Sequence, residues 1–272
     1  MSLAETRERY WDNPMGAPGA PSTWMVSFLD VAMRALWKLV LRFKVYGTEN
    51  LADIDASGRG AIIAANHVSL ADPPTLFLAL RPRSLRVMGK EDIFTHAGWA
   101  VAQVGAMSGA FPVKRDSADR KAIKRAVMYL NAGEYVGIFP EGTRMRTKDM
   151  VPRYHAGTVL IARMAKVPIV PTAVRNTDRI CPNGSHFPRY FQKVSVAIGK
   201  PIDPADYDYI DKHVRNEVVL NEVMRHIFAL RDDVPVDQVP LDLVGIKDLC
   251  AEKGLECPEL PAKPQPGGEA HA

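Results

Sequence analysis

Three runs of strand length are almost entirely apolar: Ala61 to Ala65, Tyr135 to Phe139 and Val167 to Val174. Runs this short, bounded by turn signals, are expected to be buried strands. Further strands are expected at Phe43 to Gly47, Leu85 to Met88 and Val194 to Ile198, and another ends near Lys114. Helical patterns fall at Thr75 to Leu80, Ser117 to Asn131, Tyr154 to Lys166, Asp208 to Arg231 and Leu241 to Ala251. Such alternation of strand and helix predicts an α/β sheet. Ligands of open α/β sheets gather beyond the carboxyl ends of the strands. Chemistry is therefore sought in the residues that directly follow these runs.

Asn66-His67-Val68-Ser69-Leu70-Ala71-Asp72 follows the first run. Asp72-Pro73-Pro74 is expected to open a helix with Asp72 as N-cap, which leaves His67 on the connecting loop. A regular helix would hold residues five apart about 140° out of line, so contact between His67 and Asp72 requires the loop to curl back. Given that contact, the imidazole can take a proton from an attacking hydroxyl. The carboxylate on its other nitrogen sets the tautomer and stabilises the imidazolium. This is the base half of a serine-hydrolase triad, with the substrate's own alcohol as nucleophile. The plainer alternative is an Asp72 that only caps its helix and a His67 with no special role.

Pro140-Glu141-Gly142-Thr143-Arg144 follows the second run. Here the Glu141 carboxylate can bind substrate hydroxyls and the Arg144 guanidinium can grip a phosphate, while Gly142 lets backbone amides come close. A surface turn with a local ion pair is the competing reading. Lys114 and Arg115, at a strand end, are candidates for contacting an anion. By contrast Arg120, Lys121, Lys124 and Arg125, on the following helix, are expected to form a solvated face.

Composition narrows the class. With 47% hydrophobic and 24% charged residues the chain reads as globular, and a net charge of +4 gives no reason to expect nucleic acid. Cys181, Cys250 and Cys257 contain no CxxC pair, so neither a disulfide framework nor a structural zinc site is expected. The remaining histidines fall at uninformative spacings, and no metal is called for. Gly105-Ala106-Met107-Ser108-Gly109 puts its serine one place too late for a hydrolase nucleophile elbow. Residues 1–15 lack a secretory pattern, and the uncharged run from Ile93 to Val113 is too rich in glycine and polar residues for a bilayer span.

Residues 1–23, with their prolines and glycines, are expected to be an irregular arm. The segment 24–46 is expected to carry an amphipathic helix from Trp24 to about Lys44. Asp30, Arg34, Lys38 and Arg42 recur every four residues there, as a narrow stripe on a wide apolar arc with Trp24 and Trp37. That pattern suits a membrane interface, or equally a helix packed into the core.

Four separated stretches resemble, in the correct order, the glycerolipid acyltransferases of the 1-acylglycerol-3-phosphate acyltransferase type. They are Asn66-His67 to Asp72, Phe111 to Arg115, Phe139 to Arg144, and Val167 to Pro171. The resemblance covers roughly residues 25–200. It implies a mixed, largely parallel sheet flanked by helices, in a catalytic domain at 47–235. Beyond it, the helical pattern from Leu241 to Ala251 puts a helical segment at 236–257, and the proline- and glycine-rich residues from Pro258 are expected to be a disordered tail at 258–272. The resemblance also implies that His67 and Asp72 are the catalytic pair, and that Arg115 with Glu141, Gly142, Thr143 and Arg144 binds a glycerol phosphate acceptor. Lys114 is added on its charge alone, and Met145 replaces a serine common after the arginine. The implied reaction is acyl transfer from acyl-CoA or acyl carrier protein to lysophosphatidate, giving phosphatidate. No cofactor is required, and the expected place is peripheral or monotopic on the cytoplasmic face of the cell membrane. Glycerol 3-phosphate, another lysophospholipid or a phosphorylated glycolipid remain open as acceptors. So does a noncatalytic phospholipid-binding role, which would not need His67 beside Asp72.

Overall fold

The computed structural model describes residues 3–15, 17, 28, 31, 35, 37, 41–96, 99–114, 119–145, 154–180, 189 and 191–260. Among these, seven strands form one sheet: β1 Lys44–Tyr46, β2 Ile62–Ala65, β3 Leu85–Lys90, β4 Phe111–Val113, β5 Tyr135–Ile138, β6 Ile169–Arg175 and β7 Ser195–Ile198. Their order is β1-β7-β6-β2-β5-β3-β4. Only β6 and β7 pair antiparallel, so β1 and β7 run against the other five. The expected mixed, largely parallel sheet is what forms.

The four residues of β2 show why its run carries no polar position: Ile62 and Ala64 belong to the core on one face, Ile63 and Ala65 to the core on the other. Alternate residues of a strand face opposite sides, and here both sides are dry. One face is covered by α1 Leu3–Trp11, α2 Arg120–Asn131, α3 Gly157–Ala165 and α4 Arg215–Asp232. On the other face lie α5 Asp72–Leu80 and α6 Ala52–Ser57. The uncharged run after Ile93 becomes the helix α7 Trp99–Met107 and the strand β4, beside the short α8 Glu91–Thr95.

Three expectations are corrected. The arm 1–23 contains α1, which tertiary contacts hold in place. The Trp11 indole N–H donates to the Ala110 carbonyl at 2.9 Å, and Arg125 bonds Glu8 at 2.6 Å and Asp12 at 2.7 Å. Fully buried Arg86 bonds Glu134 at 2.7 Å and donates to the carbonyls of Tyr10 and Asn13. Arg125 is thus buried and Lys121 is paired with Glu8, whereas Arg120 and Lys124 are exposed as expected. Second, the helix expected from Asp208 starts only at Arg215. Asp211 binds the His213 N–H and Arg215 binds the carbonyls of Asp208 and Ile210, local bonds that compete with helix. Third, the strand expected at Phe43 to Gly47 forms as β1 and pairs with β7, so it belongs to the sheet, and the boundary between the segment 24–46 and the domain from 47 moves back before Lys44.

Within the expected interface helix, Phe28, Val31, Ala35 and Trp37 are helical and the other residues of 24–40 lie outside the described residues. Residues 236–257 contain α9 Ile246–Lys253, and residues 261–272 of the tail lie outside the described set. No helix among the described residues is long and apolar enough to cross a membrane.

Register places the loop after β2. Ala64 lies opposite Ile138 of β5, and Ala65 opposite Thr172 of β6, so the chain leaves β2 between two parallel neighbours. The Asn66 side chain then continues the ladder. Its amide donates to the Val174 carbonyl at 3.0 Å and accepts from the Val174 N–H at 2.8 Å. Asn66→Ala leaves both buried backbone groups without partners, and urea denaturation should show a loss of roughly 2–4 kcal/mol.

Candidate active site

The loop curls back as the chemistry requires, but Asp72 is not the N-cap. Ala71 holds that place and no side chain caps α5. Pro73 and Pro74 have no N–H to cap, and the Thr75 N–H is already bonded to the Ala71 carbonyl at 3.1 Å. The Asp72 carboxylate is therefore available to its own loop. Oδ2 accepts the N–H groups of Val68 at 2.7 Å and Ser69 at 2.8 Å, and lies 2.8 Å from His67 Nδ1. Oδ1 accepts the hydroxyl of Thr177, which follows β6. Four donors thus compensate a carboxylate that is 0% exposed.

His67 is held from every side. Its ring stacks on Phe139, with centroids 4.3 Å apart and planes at 24°. Its backbone N–H donates to Glu141 Oε2 at 3.2 Å, and its carbonyl accepts from the Met145 N–H at 2.9 Å. The side chain retains 11% exposure. With Nδ1 committed to Asp72, Nε2 is the ring atom left to exchange a proton with a substrate.

Glu141 does not extend towards solvent to meet substrate hydroxyls. It is 2% exposed and turned inward to the His67 backbone. Burial pushes its carboxyl up to about 7 against the opposing pull of the His67 N–H and the Arg231 charge, while the Asp72 charge adds to the rise. Gly142 has φ +63, and a Cβ there would lie 2.5 Å from the His155 ring. The backbone conformation favours glycine, and a larger residue would also have to displace the exposed His155 ring. Thr143 is exposed, and half-buried Arg144 directly precedes the Met145 that binds His67.

Lys114 leaves β4 at the same sheet edge, three strands from β2. Its N–H donates to Asp119 at 2.8 Å, and its ammonium stands 4.0 Å from Glu91. Arg115 lies outside the described residues. Asn66, Phe139, His155 and Thr177 were not assigned roles from sequence. Asn66 could have been found as the first polar residue after an apolar run. Thr177 carries no local signal, because its partner is 105 residues away.

The family model described as Acyltransferase matches residues 42–175. A 1-acyl-sn-glycerol-3-phosphate acyltransferase of Bacillus subtilis (strain 168) is 32% identical over 208 residues, 76% of this chain and 98% of that protein. A chloroplastic enzyme of the same name from Brassica napus is 31% identical over 67% of this chain, which spans 53% of that longer protein. The crystal structure of the 1-acyl-sn-glycerophosphate acyltransferase PlsC from Thermotoga maritima shares the fold, with a TM-score of 0.58 and 22% identity over 76% of this chain and 80% of that one.

The Glu141 environment makes stability depend on pH. Its carboxyl rises from an ordinary 4.5 to about 7 on folding, so between those values the folded protein holds more protons than the unfolded one. Stability from this group falls as pH rises through that window. Glu141→Gln keeps an acceptor for the His67 N–H and abolishes the titration. Urea midpoints from pH 5 to pH 8 should favour the variant progressively, by on the order of 2–3 kcal/mol at the upper end.

Proposed function

Because the chain belongs to the 1-acyl-sn-glycerol-3-phosphate acyltransferase family and is an O-acyltransferase, we propose that it acylates the free hydroxyl of lysophosphatidate. The donor is a thioester of coenzyme A or acyl carrier protein, the product is phosphatidate, and the work is done at the cytoplasmic face of a membrane. The observation that carries this reading is the His67–Asp72 pair, with Nε2 uncommitted among the described residues, in a chain without a nucleophile elbow.

In this reading the acceptor hydroxyl gives its proton to His67 Nε2 as its oxygen attacks the thioester carbonyl carbon. The tetrahedral intermediate then collapses, the carbon–sulfur bond breaks, and the leaving sulfur takes the proton back from the imidazolium. Asp72 stabilises that imidazolium through Nδ1 and fixes which nitrogen faces the substrate. The Asp72 bond and the Phe139 stack hold the ring, and the Glu141 and Met145 contacts hold its backbone. Lys114, Arg115 and Arg144 are the cations proposed to meet the acceptor phosphate, and Thr143 lies exposed beside Arg144. The position of Arg144 one residue before the His67 contact supports its part in this set. Lysophosphatidate is favoured over glycerol 3-phosphate and the other alcohols because the relatives are 1-acyl-sn-glycerol-3-phosphate acyltransferases.

Thiol release from acyl-CoA, followed with and without lysophosphatidate, tests the proposal. His67→Ala and Asp72→Asn should each lower acceptor-dependent release by roughly 10²–10⁴-fold with melting curves unchanged for the histidine variant. Arg144→Ala should raise KM for lysophosphatidate about 10–100-fold with less effect on kcat. Near-normal turnover by His67→Ala would remove the mechanism, and release that ignores the acceptor would remove the substrate.

A further inference from the structure

We infer that Leu70 and Phe191 are membrane wedges, the apolar points at which the sheet edge carrying His67 enters a bilayer surface that bears anionic lipid. The inference deepens the proposed function and rests on its reading of the acceptor as a membrane lipid.

Topology brings the pieces together. β7 runs antiparallel to β6 and parallel to β1, so the starts of β1 and β7 lie at the same edge as the ends of β2 and β6. Leu41 to Lys44, Thr177 to Ile180 and Phe191 to Val194 therefore meet around the His67 loop. Their contacts agree: Leu41, Ala71, Ile180 and Val194 share one small buried cluster, with Trp37 and Phe43 packed against it. The Arg42 N–H donates to the Gln192 carbonyl and the Lys44 N–H to the Val194 carbonyl, each at 3.0 Å. Leu70 adjoins this cluster through Ala71, and Phe191 adjoins it through Val194.

Neither side chain enters the cluster. Leu70 is 64% exposed and Phe191 is 76% exposed. A lone exposed leucine needs no explanation, but Phe191 does, because its φ is +61. Bulky residues rarely adopt this left-handed conformation, and here it accompanies a ring left in water near a small apolar cluster. The backbone cost is the same in any solvent, but the exposure of the ring is unfavourable in water. An aromatic ring and a leucine at a lipid interface gain what water denies them.

Charge identifies the surface. Arg42, Lys44, Arg179, Arg189 and Lys193 are exposed along this strip, against Asp178 as the exposed acid among its described residues. None of the five cations forms an ion pair among the described residues. Anionic headgroups complement such a strip. Seating Leu70, three residues after His67, holds the loop of the imidazole against the surface that carries a lysophospholipid.

Flotation of the full chain with vesicles of phosphatidylcholine, with or without phosphatidylglycerol, tests this. The wild type should float with the anionic vesicles and less with the neutral ones. Leu70→Ser and Phe191→Gly should each lower the partition coefficient roughly tenfold, and the pair should lower it further. Because glycine suits φ +61, Phe191→Gly should melt no lower than the wild type, so its loss of binding is not unfolding. Phe191→Trp should float as the wild type does. Turnover of a short-chain lysophosphatidate dissolved as monomer should be unchanged in Phe191→Gly, while turnover of the vesicle-borne acceptor falls. A double variant that floats like the wild type, or a Phe191→Trp that does not float, overturns the wedges and leaves the proposed reaction standing. Equal flotation with both vesicles overturns the anionic preference. Failure of the wild type to acylate monomeric lysophosphatidate overturns the proposed acceptor itself.

Discussion

A carboxylate with no exposure to water must be surrounded by donors, and Asp72 finds four. Three come from the residues just before it, so satisfying the charge forces His67 to Ser69 into a tight curl around it. The fourth, Thr177, arrives from beyond β6 and ties that curl to the sheet. A buried charge left short of donors is costly, so the loop has little freedom to open while Asp72 stays inside. The direction of the His67 ring is a consequence of this arrangement.

The neighbouring strands finish the work. Asn66 hydrogen-bonds to β6, the Glu141 side chain and the Met145 N–H come from the stretch after β5, and Phe139 backs the imidazole with an aromatic face. In the proposed reaction, a site that activates a hydroxyl delivered by the substrate gains from this stiffness, since it supplies a base and its orientation and has no nucleophile to position. Glu141 is the exception to a plain scaffold. Its carboxyl is pushed up to about 7 by burial, which gives a group two residues from the aromatic support a charge that changes near neutrality.

The two ends of the sheet differ in chemistry. Towards β3 and β4, buried Arg86 and Arg125 collect acids and carbonyls and fasten α1 to the domain. Towards β1 and β7, cations stay exposed beside Leu70 and Phe191. Arginine thus serves as an internal clamp on one side and as surface charge on the other, and burial alone makes the difference.

Sequence by itself determined the strands, the largely parallel sheet and the place of the His–Asp pair. Burial on both faces leaves no polar position in β2, β5 or the start of β6, and a run of that kind is legible without coordinates. Motif spacing likewise identified His67, Asp72 and the Glu141 to Arg144 turn. Tertiary structure alone decided that Asp72 binds its loop rather than caps α5, that Glu141 faces inward, that Thr177 completes the carboxylate's shell, and that the arm contains α1. Each of these depends on a partner supplied by packing: Thr177 to Asp72 spans 105 residues and Arg125 to Asp12 spans 113. Local periodicity records which residues must leave water, but not which distant donor or acceptor will meet them when they do.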